Sequence, residues 1–477
     1  MSQLYVAVLA VIVAVLLTVA IYQTTRVKTK ADYLVAGRSL PAFVLVLTLL
    51  TSWIGAGSLF AGAENAYRNG FAALWLPAGG WVGLLLIYFI APRARKFAQF
   101  TLPDLLEARY NQTARVLGTI AILFAYVGIT SYQFKGGGNL LHLIFPDQVT
   151  PELGTYIIAV FVIVTTALAG MSSVAYMDVA IGSLVTVICI IATPMLFLKA
   201  GGWAGLHAVL PATHFQVLGN LTFTRAMEFM VPTMLLMLGN QVMYQKFFSA
   251  KSERDARISV VGWILGTILL ETLIVSIAVF GSALYPTGEV SRQPYEIIPY
   301  TARNGLPALM GALLLGAVFA KVISTASNYL FSPATNLIND VFVRYIAPGA
   351  SNKRVLIVSR LAVVLLGIWA LYQAIYAPSI LAKMLWAYTI YSAALTPVVL
   401  AAFYSKRVTA WGAVAAIAAG TAVTLAWDVP SVKALFPPIL ADRDAIFPSL
   451  FVAVAALIIV SLFTPPPEPS QLAQFAD

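Results

Sequence analysis

The chain has 477 residues, of which 60% are hydrophobic and 10% are charged. This composition excludes a soluble globular protein and predicts a chain that lies mostly against lipid and neighbouring helices. The formal net charge of +10 does not indicate nucleic-acid binding, because the basic residues fall in short loops between apolar segments, where they act as orientation signals.

Apolar segments close to the ~20 residues needed to cross a bilayer recur along the whole chain. They predict an all-α polytopic membrane protein, and no loop between them is long enough for a separate soluble domain. We predict thirteen spanning helices, with approximate limits at 4–23, 42–67, 71–92, 115–140, 153–171, 177–199, 226–245, 258–283, 306–342, 355–376, 379–404, 409–428 and 446–464.

The loops also predict an orientation, because Lys and Arg accumulate on the cytoplasmic side of a membrane protein. One set of alternate loops holds seventeen of these residues and the opposite set holds seven. We therefore expect a multi-pass protein of the plasma (inner) membrane, with its N-terminus outside and its C-terminus in the cytoplasm. Asp178 is expected to cap the sixth span at its cytoplasmic start.

Two predicted spans contain interruptions. Residues 51–58 in the second span include two glycines and three hydroxyl side chains, and residues 238–241 in the seventh include a glycine and two amides. A spanning helix breaks only where the freed backbone groups meet protein, ions or water. The two segments are five spans apart and so run in opposite directions, as paired broken helices do in inverted repeats. Close helix packing through small residues is the alternative explanation.

Three motifs occur in an order that resembles one known family, the sodium:solute symporters. They are the segment 32–40 (DYLVAGRSL), the Gly239-Asn240-Gln241 segment, and the serine-rich segment 324–327. Members of that family transport sugars, proline, pantothenate, sialic acid, choline and other solutes. The resemblance implies a single transmembrane domain (1–477) with a leucine-transporter type fold of five-plus-five inverted repeats. The repeats would be 42–199 and 226–404, preceded by an extra helix and loop (1–41) and followed by two additional helices and a tail (405–477).

The resemblance also implies a sodium site between the second and ninth spans. Its ligands here would be the backbone carbonyls of Thr51, Ile54 and Lys321 and the hydroxyls of Ser324 and Thr325. A hard cation prefers oxygen ligands, and a broken helix exposes carbonyls that a continuous helix would satisfy internally. Without the resemblance, Ser and Thr in a membrane helix are expected to bond to their own backbone. Sodium would be the coupling ion, and no cofactor is expected.

Lys321 departs from the family pattern, which has a small residue at this position. It lies about fifteen residues into its span, or ~22 Å at 1.5 Å per residue, where an unpaired ammonium is costly. Our expectation is a structural ion pair with Glu271 of the eighth span. Two alternatives are that Lys321 binds an anionic solute, or that its ammonium replaces sodium, which would give a sodium-independent or proton-linked carrier.

The candidate solute contacts follow from the two interruptions. Gly57 and Ser58 stand where sugar-transporting relatives have amide and acid side chains, so a sugar is disfavoured. The segment around Trp53 is similar to the choline-transporting branch, where an aromatic face could bind a quaternary ammonium, although Trp53 could equally pack between helices. The complete set of predicted solute contacts is Trp53, Gly57, Ser58, Asn240, Gln241 and Glu271.

The predicted function is secondary active transport, not enzymatic catalysis. We expect sodium-coupled symport of a small organic solute by alternating access, with an amine, amino acid or carboxylate favoured over a sugar. The expected partners are that solute, sodium and the lipid bilayer. A membrane sensor that keeps the transporter fold is the alternative from a different functional class.

Overall fold

A computed structural model describes residues 2–25, 29–97, 101–376, 379–473 and 475. Within these ranges, ten helices are both long enough and apolar enough to cross a membrane. Two shorter apolar helices, Gln3–Val19 and Ala42–Trp53, accompany them. The protein is thus an all-helical, multi-pass membrane protein, while the count of thirteen spans stays a prediction.

The helices of the first half, in chain order, are α1 (Ser2–Thr24), α2 (Lys30–Val35), α3 (Ala42–Trp53), α4 (Ala63–Asn69), α5 (Trp75–Phe97), α6 (Leu102–Arg109), α7 (Gln112–Ile144), α8 (Pro151–Lys199) and α9 (Gly202–Val209). A π-helical segment, π1 (Gly57–Gly62), leads into α4. Hence the second predicted span is built from α3, π1 and α4.

The helices of the second half are α10 (Phe223–Gly239), α11 (Gln241–Ser249), α12 (Glu253–Leu284), α13 (Glu289–Arg292), α14 (Ile297–Gly305), α15 (Ala308–Asn336), α16 (Asn352–Tyr376), α17 (Ile380–Ala394), α18 (Thr396–Tyr404), α19 (Ala410–Trp427), α20 (Pro430–Lys433), α21 (Pro438–Ala441), α22 (Ile446–Phe463) and α23 (Pro469–Ala473). A second π-helical segment, π2 (Leu337–Ile346), continues α15. The seventh predicted span is therefore α10 followed by α11.

Both predicted helix interruptions are confirmed. Helix α3 ends because Ile54 takes an extended conformation (φ −83°, ψ 119°). Helix α10 ends because Asn240 is extended (φ −63°, ψ 113°), and the Asn240 side chain then accepts a hydrogen bond from Val242 N at 3.0 Å and caps α11. Gly55 allows the first break to pack tightly, since a Cβ there would lie 2.7 Å from Thr325 Oγ1.

Helix α8 contains the fifth and sixth predicted spans, which a kink at Gly170 separates. Gly170 has φ 68° and ψ −179°, a conformation that residues with a Cβ rarely adopt. The helix then resumes, and Asp178 lies beyond the kink with a fully buried side chain. The prediction that Asp178 caps a helix start is wrong, because the second half of α8 begins earlier than its apolar run suggests.

A buried cluster of charges ties helices α6 and α7 to π2. Arg115 on α7 donates to Asp104 at 2.5 Å and to Asp340 at 2.6 Å, and it also contacts Glu107. On π2, Arg344 donates to the other oxygen of Glu107 at 2.6 Å. Three carboxylates from α6 and π2 therefore meet around Arg115, and Arg344 pairs with one of them.

Replacing Arg115 by Met is expected to lower the free energy of unfolding by about 3–5 kcal/mol, because it leaves buried carboxylates without their partner. The matched control is Arg344→Met, whose side chain is 52% exposed and whose ion pair is worth at most about 1 kcal/mol. Thermal unfolding of the purified variants in detergent measures both effects. Equal stability of the two variants would contradict the account of this cluster.

Candidate functional site

Three backbone carbonyls converge on the hydroxyl of Thr325. The Thr325 Oγ1 atom lies 3.2 Å from the Thr51 oxygen, 2.8 Å from the Ile54 oxygen and 3.0 Å from the Lys321 oxygen. Thr51 lies in the last turn of α3 and Ile54 directly follows the helix, so their carbonyls lack partners within the helix because the chain leaves helical geometry there. The break thus exposes two oxygens to α15.

The geometry of this group favours a cation. A hydroxyl has a single proton, so Thr325 can donate to only one of the three carbonyls at a time. The Lys321 carbonyl also has a backbone partner within α15, but at least one of the Thr51 and Ile54 carbonyls is left facing an oxygen atom in a site where all four residues are buried. The group therefore has more converging oxygen atoms than protons to share among them. Oxygen atoms are the ligands that a small hard cation prefers.

The second predicted hydroxyl, Ser324, faces a different partner. Its Oγ donates to Asp178 Oδ1, whereas Asp178 Oδ2 accepts from Thr48 Oγ1 at 2.5 Å and from Asn328 Nδ2 at 3.2 Å. Asp178 therefore links α3, α8 and α15 beside the carbonyl cluster. Sequence reasoning missed this role, although an acidic residue within a membrane span is itself a signal of function.

Lys246 is a further residue that the sequence did not assign to the site. It lies directly after the predicted seventh span, which ends at 245, yet it is 0% exposed. Its Nζ lies 3.4 Å from Asp178 Oδ2 and 2.8 Å from the Thr48 carbonyl, and it also contacts Ser52 Oγ. Lys246 joins α11 of the second broken helix to α3 of the first.

The expected ion pair between Lys321 and Glu271 is wrong. The Lys321 ammonium donates to the Leu50 carbonyl at 3.2 Å. Glu271 Oε1 instead accepts from Trp53 Nε1 and from Ser58 Oγ, both at 3.1 Å. The two side chains lie at similar depth, but their functional groups have different partners.

A small cavity lies beside the break in α3. Four of the predicted solute contacts line it, namely Trp53, Gly57, Ser58 and Glu271, together with other side chains that include Tyr388. The Trp53 and Tyr388 rings stack with their centroids 6.1 Å apart and an angle of 29° between the planes. The structure therefore joins the second-span candidates and Glu271 in one aromatic cavity.

The other two predicted solute contacts lie elsewhere. Asn240 accepts from Tyr126 OH and donates to Tyr329 OH, both at 2.8 Å. Gln241 Nε2 donates to Ser332 Oγ at 2.9 Å, and its Oε1 accepts from Leu102 N at 3.1 Å. Both amides are used within the protein, and neither lines the cavity at Trp53.

Comparison with known proteins identifies the family. Residues 33–420 match the sequence model of the sodium:solute symporter family. The chain belongs to this family. It is similar to the osmoregulated proline transporter OpuE of Bacillus subtilis (24% identical, covering 91% of this chain and 90% of OpuE). It is also similar to a sodium/proline symporter of Staphylococcus aureus (25% identical, covering 96% and 92%).

Solved structures show the same fold. A Na⁺-coupled sialic acid symporter in a substrate-bound outward-open state superposes with a TM-score of 0.82 at 18% identity, over 98% of both chains. The transporter MhsT, in complex with L-phenylalanine, gives a TM-score of 0.52 at 15% identity, over 88% of this chain and 97% of that one. The symporter thus has the leucine-transporter type fold that the sequence predicted.

Family and fold together establish the general activity. The protein is a membrane-embedded, sodium-coupled symporter of a small organic solute, and it is a transporter and not an enzyme. Membership of the family implies sodium as the coupling ion.

Proposed function

We propose that the coupling sodium binds where the Thr51, Ile54 and Lys321 carbonyls converge on the Thr325 hydroxyl. The single observation that carries this proposal is the contact of one hydroxyl with three carbonyl oxygens at 2.8–3.2 Å. Ser324 is the fifth proposed ligand, and it would reach the ion by turning its hydroxyl away from Asp178. Sodium would then join α3 to α15 through oxygen atoms of both helices.

The solute is proposed to bind in the adjacent cavity, through Trp53, Gly57, Ser58 and Glu271. Ile54 of the proposed sodium site follows Trp53 of the cavity directly in sequence, so an ion that fixes the end of α3 also fixes the Trp53 ring. Sodium would therefore favour the conformation that binds the solute, which is the thermodynamic requirement for coupling. An amino acid or amine is the proposed solute, and the two proline-transporting relatives support this choice.

Uptake into proteoliposomes tests this function. The purified protein is given L-proline or choline outside, with either sodium or potassium chloride, under otherwise equal ion gradients. We expect accumulation of at least one of the two solutes with sodium and little accumulation with potassium. Equal uptake in the two salts would contradict a coupling site for sodium.

The second candidate mechanism is that the Lys321 ammonium replaces the ion. Its Nζ contacts the Leu50 carbonyl, one residue before the proposed ligand Thr51. A Lys321→Ala variant separates the two mechanisms, because alanine keeps the backbone carbonyl and removes the charge.

Under the sodium proposal, Lys321→Ala keeps sodium-dependent uptake. We also expect half-maximal uptake at a sodium concentration about tenfold lower, since two unit charges several ångströms apart repel by roughly 1–2 kcal/mol at an effective dielectric constant near 20. The sodium dependence of initial uptake rates measures this. A wild type that ignores sodium, together with a variant that needs it, would support the built-in ammonium instead.

We also propose the orientation with the N-terminus outside and the C-terminus in the cytoplasm of the plasma membrane, and the repeats 42–199 and 226–404. The distribution of Lys and Arg supports the orientation, and the breaks at Ile54 and Asn240 support the repeats.

Because the native Cys189 is buried, single cysteines placed in the loops can be labelled from each side with a membrane-impermeant reagent. This orientation places the loop at 405–409 in the cytoplasm, so labelling of that loop from outside would contradict it.

A further inference from the structure

Glu271 has an unused carboxylate oxygen in the middle of the membrane domain. The side chain is only 3% exposed, and its Oε1 takes both hydrogen bonds, from Trp53 and from Ser58. The other oxygen, Oε2, is buried and has no hydrogen-bond partner. An ionised carboxylate without full pairing is costly within a membrane, and such residues mark functional sites.

The groups around Glu271 leave its charge without a direct ion pair. In the described part of the chain, no Lys or Arg side chain lies within ion-pair distance of Glu271, since the Lys321 ammonium donates to the Leu50 carbonyl. The Trp81 indole also interacts with Glu271, although neither Trp81 Nε1 nor Glu271 Oε2 has a hydrogen bond of normal geometry. The protein itself therefore supplies no cation to Oε2.

Glu271 also belongs to an aromatic cavity. Trp53 and Tyr388 line the same space with their stacked rings, and Gly57 lies against it without room for a side chain, because a Cβ at that position would lie 2.8 Å from Met384 Sδ and 3.4 Å from Tyr388 OH. Aromatic faces attract cations, and a carboxylate pairs with them. The cavity thus combines the two features that recognise a positively charged nitrogen.

We propose that the transported solute carries a positively charged nitrogen that binds between Glu271 Oε2 and the Trp53 and Tyr388 rings. This inference rests on the proposed function, since it assumes that the cavity beside the sodium site holds the solute. A protonated amine would donate a hydrogen bond to Oε2, whereas a quaternary ammonium would pair with it by charge alone. A solute whose only charge is negative would be repelled by the same carboxylate.

The test is stabilisation of the purified full-length protein against thermal unfolding in saturating sodium chloride. The probes are ethanolamine, choline, L-proline, L-lactate and D-glucose. We expect at least one of the three probes with a positively charged nitrogen (ethanolamine, choline and L-proline) to stabilise the protein, and lactate and glucose to have no effect. Which of the three binds distinguishes a free amine, a quaternary ammonium and an amino acid as the source of the charge.

The decisive variant is Glu271→Gln, which keeps the shape of the side chain and removes its charge. We expect at least a tenfold loss of apparent affinity for the nitrogen cation. Glu64→Gln is the control, because Glu64 pairs with the exposed Arg68 one helical turn away and should leave the affinity unchanged. Wild-type affinity in Glu271→Gln, stabilisation by lactate or glucose, or no stabilisation by any nitrogen cation would each overturn the proposal.

A sodium titration of the same proteins separates this proposal from the sodium site. Stabilisation of Glu271→Gln by sodium over potassium shows that the variant is folded and that its carbonyl cluster is intact. If sodium does not stabilise the wild type more than potassium does, the proposed ion site is refuted. A normal sodium effect in both proteins, together with equal affinity of Glu271→Gln and the wild type for the solute, would refute the role of Glu271 alone.

Discussion

Replacing Thr325 by Ala is expected to raise the sodium concentration for half-maximal uptake at least about tenfold. The variant removes the one side-chain oxygen that contacts all three carbonyls of the proposed site. A lost contact between a polar group and a charge costs roughly 1.5–3 kcal/mol, and 1.4 kcal/mol corresponds to a factor of ten. Initial rates of uptake into proteoliposomes over a sodium series measure this shift.

The matched control for this prediction is Thr130→Ala. Thr130 is also buried, but its Oγ1 bonds to the Tyr126 carbonyl within its own helix at 2.9 Å. We therefore expect its sodium dependence to equal that of the wild type. The same sodium dependence in Thr325→Ala and Thr130→Ala would show that Thr325 is an ordinary helix threonine.

The second large effect is expected at Asp178. Its carboxylate lies 3.4 Å from the fully buried Lys246 ammonium, so Asp178→Asn leaves that charge without its partner. Breaking a buried ion pair from one side costs about 3–5 kcal/mol. The variant should unfold at a markedly lower temperature in detergent and yield less monodisperse protein.

A double variant makes this prediction specific to the charge. Removing both charges with Asp178→Asn and Lys246→Met should recover much of the lost stability, because no uncompensated ammonium remains. Asp428→Asn is the control, since Asp428 pairs with Lys433 at an exposed position where the effect is at most about 1 kcal/mol. A double variant less stable than Asp178→Asn would rule out the ion pair as the cause.

The helices and both breaks could be predicted from the sequence because the lipid bilayer constrains the length of a span and requires its backbone groups to be paired. Apolar length defines a span, and glycines with polar side chains in mid-span indicate where a helix opens. The helices and breaks depend on short stretches of chain, so they could be predicted without knowing how the helices pack. The Thr51 and Ile54 carbonyls lie at such a break, but their assignment as ion ligands together with Thr325 came from the family resemblance.

The pairing of buried charges could not be predicted in the same way. Hydropathy gives the depth of Lys321 and Glu271 but not the direction in which either side chain points around its helix. Asp178 is predicted at a helix end because the predicted sixth span begins at 177, whereas the helix resumes directly after Gly170. Lys246 follows the predicted seventh span, which ends at 245, although α11 continues to Ser249 and packs inside the protein. The partners of all four side chains lie on segments far apart in sequence, which span limits do not reveal.

Direct binding of radioactive sodium to the purified wild-type protein tests the central claim most directly. The account predicts saturable binding that potassium does not displace, with binding weakened at least about tenfold in Thr325→Ala and unchanged in Thr130→Ala. Absence of saturable sodium binding in the wild type, or equal binding in all three proteins, would contradict a sodium site at the break between Thr51 and Ile54.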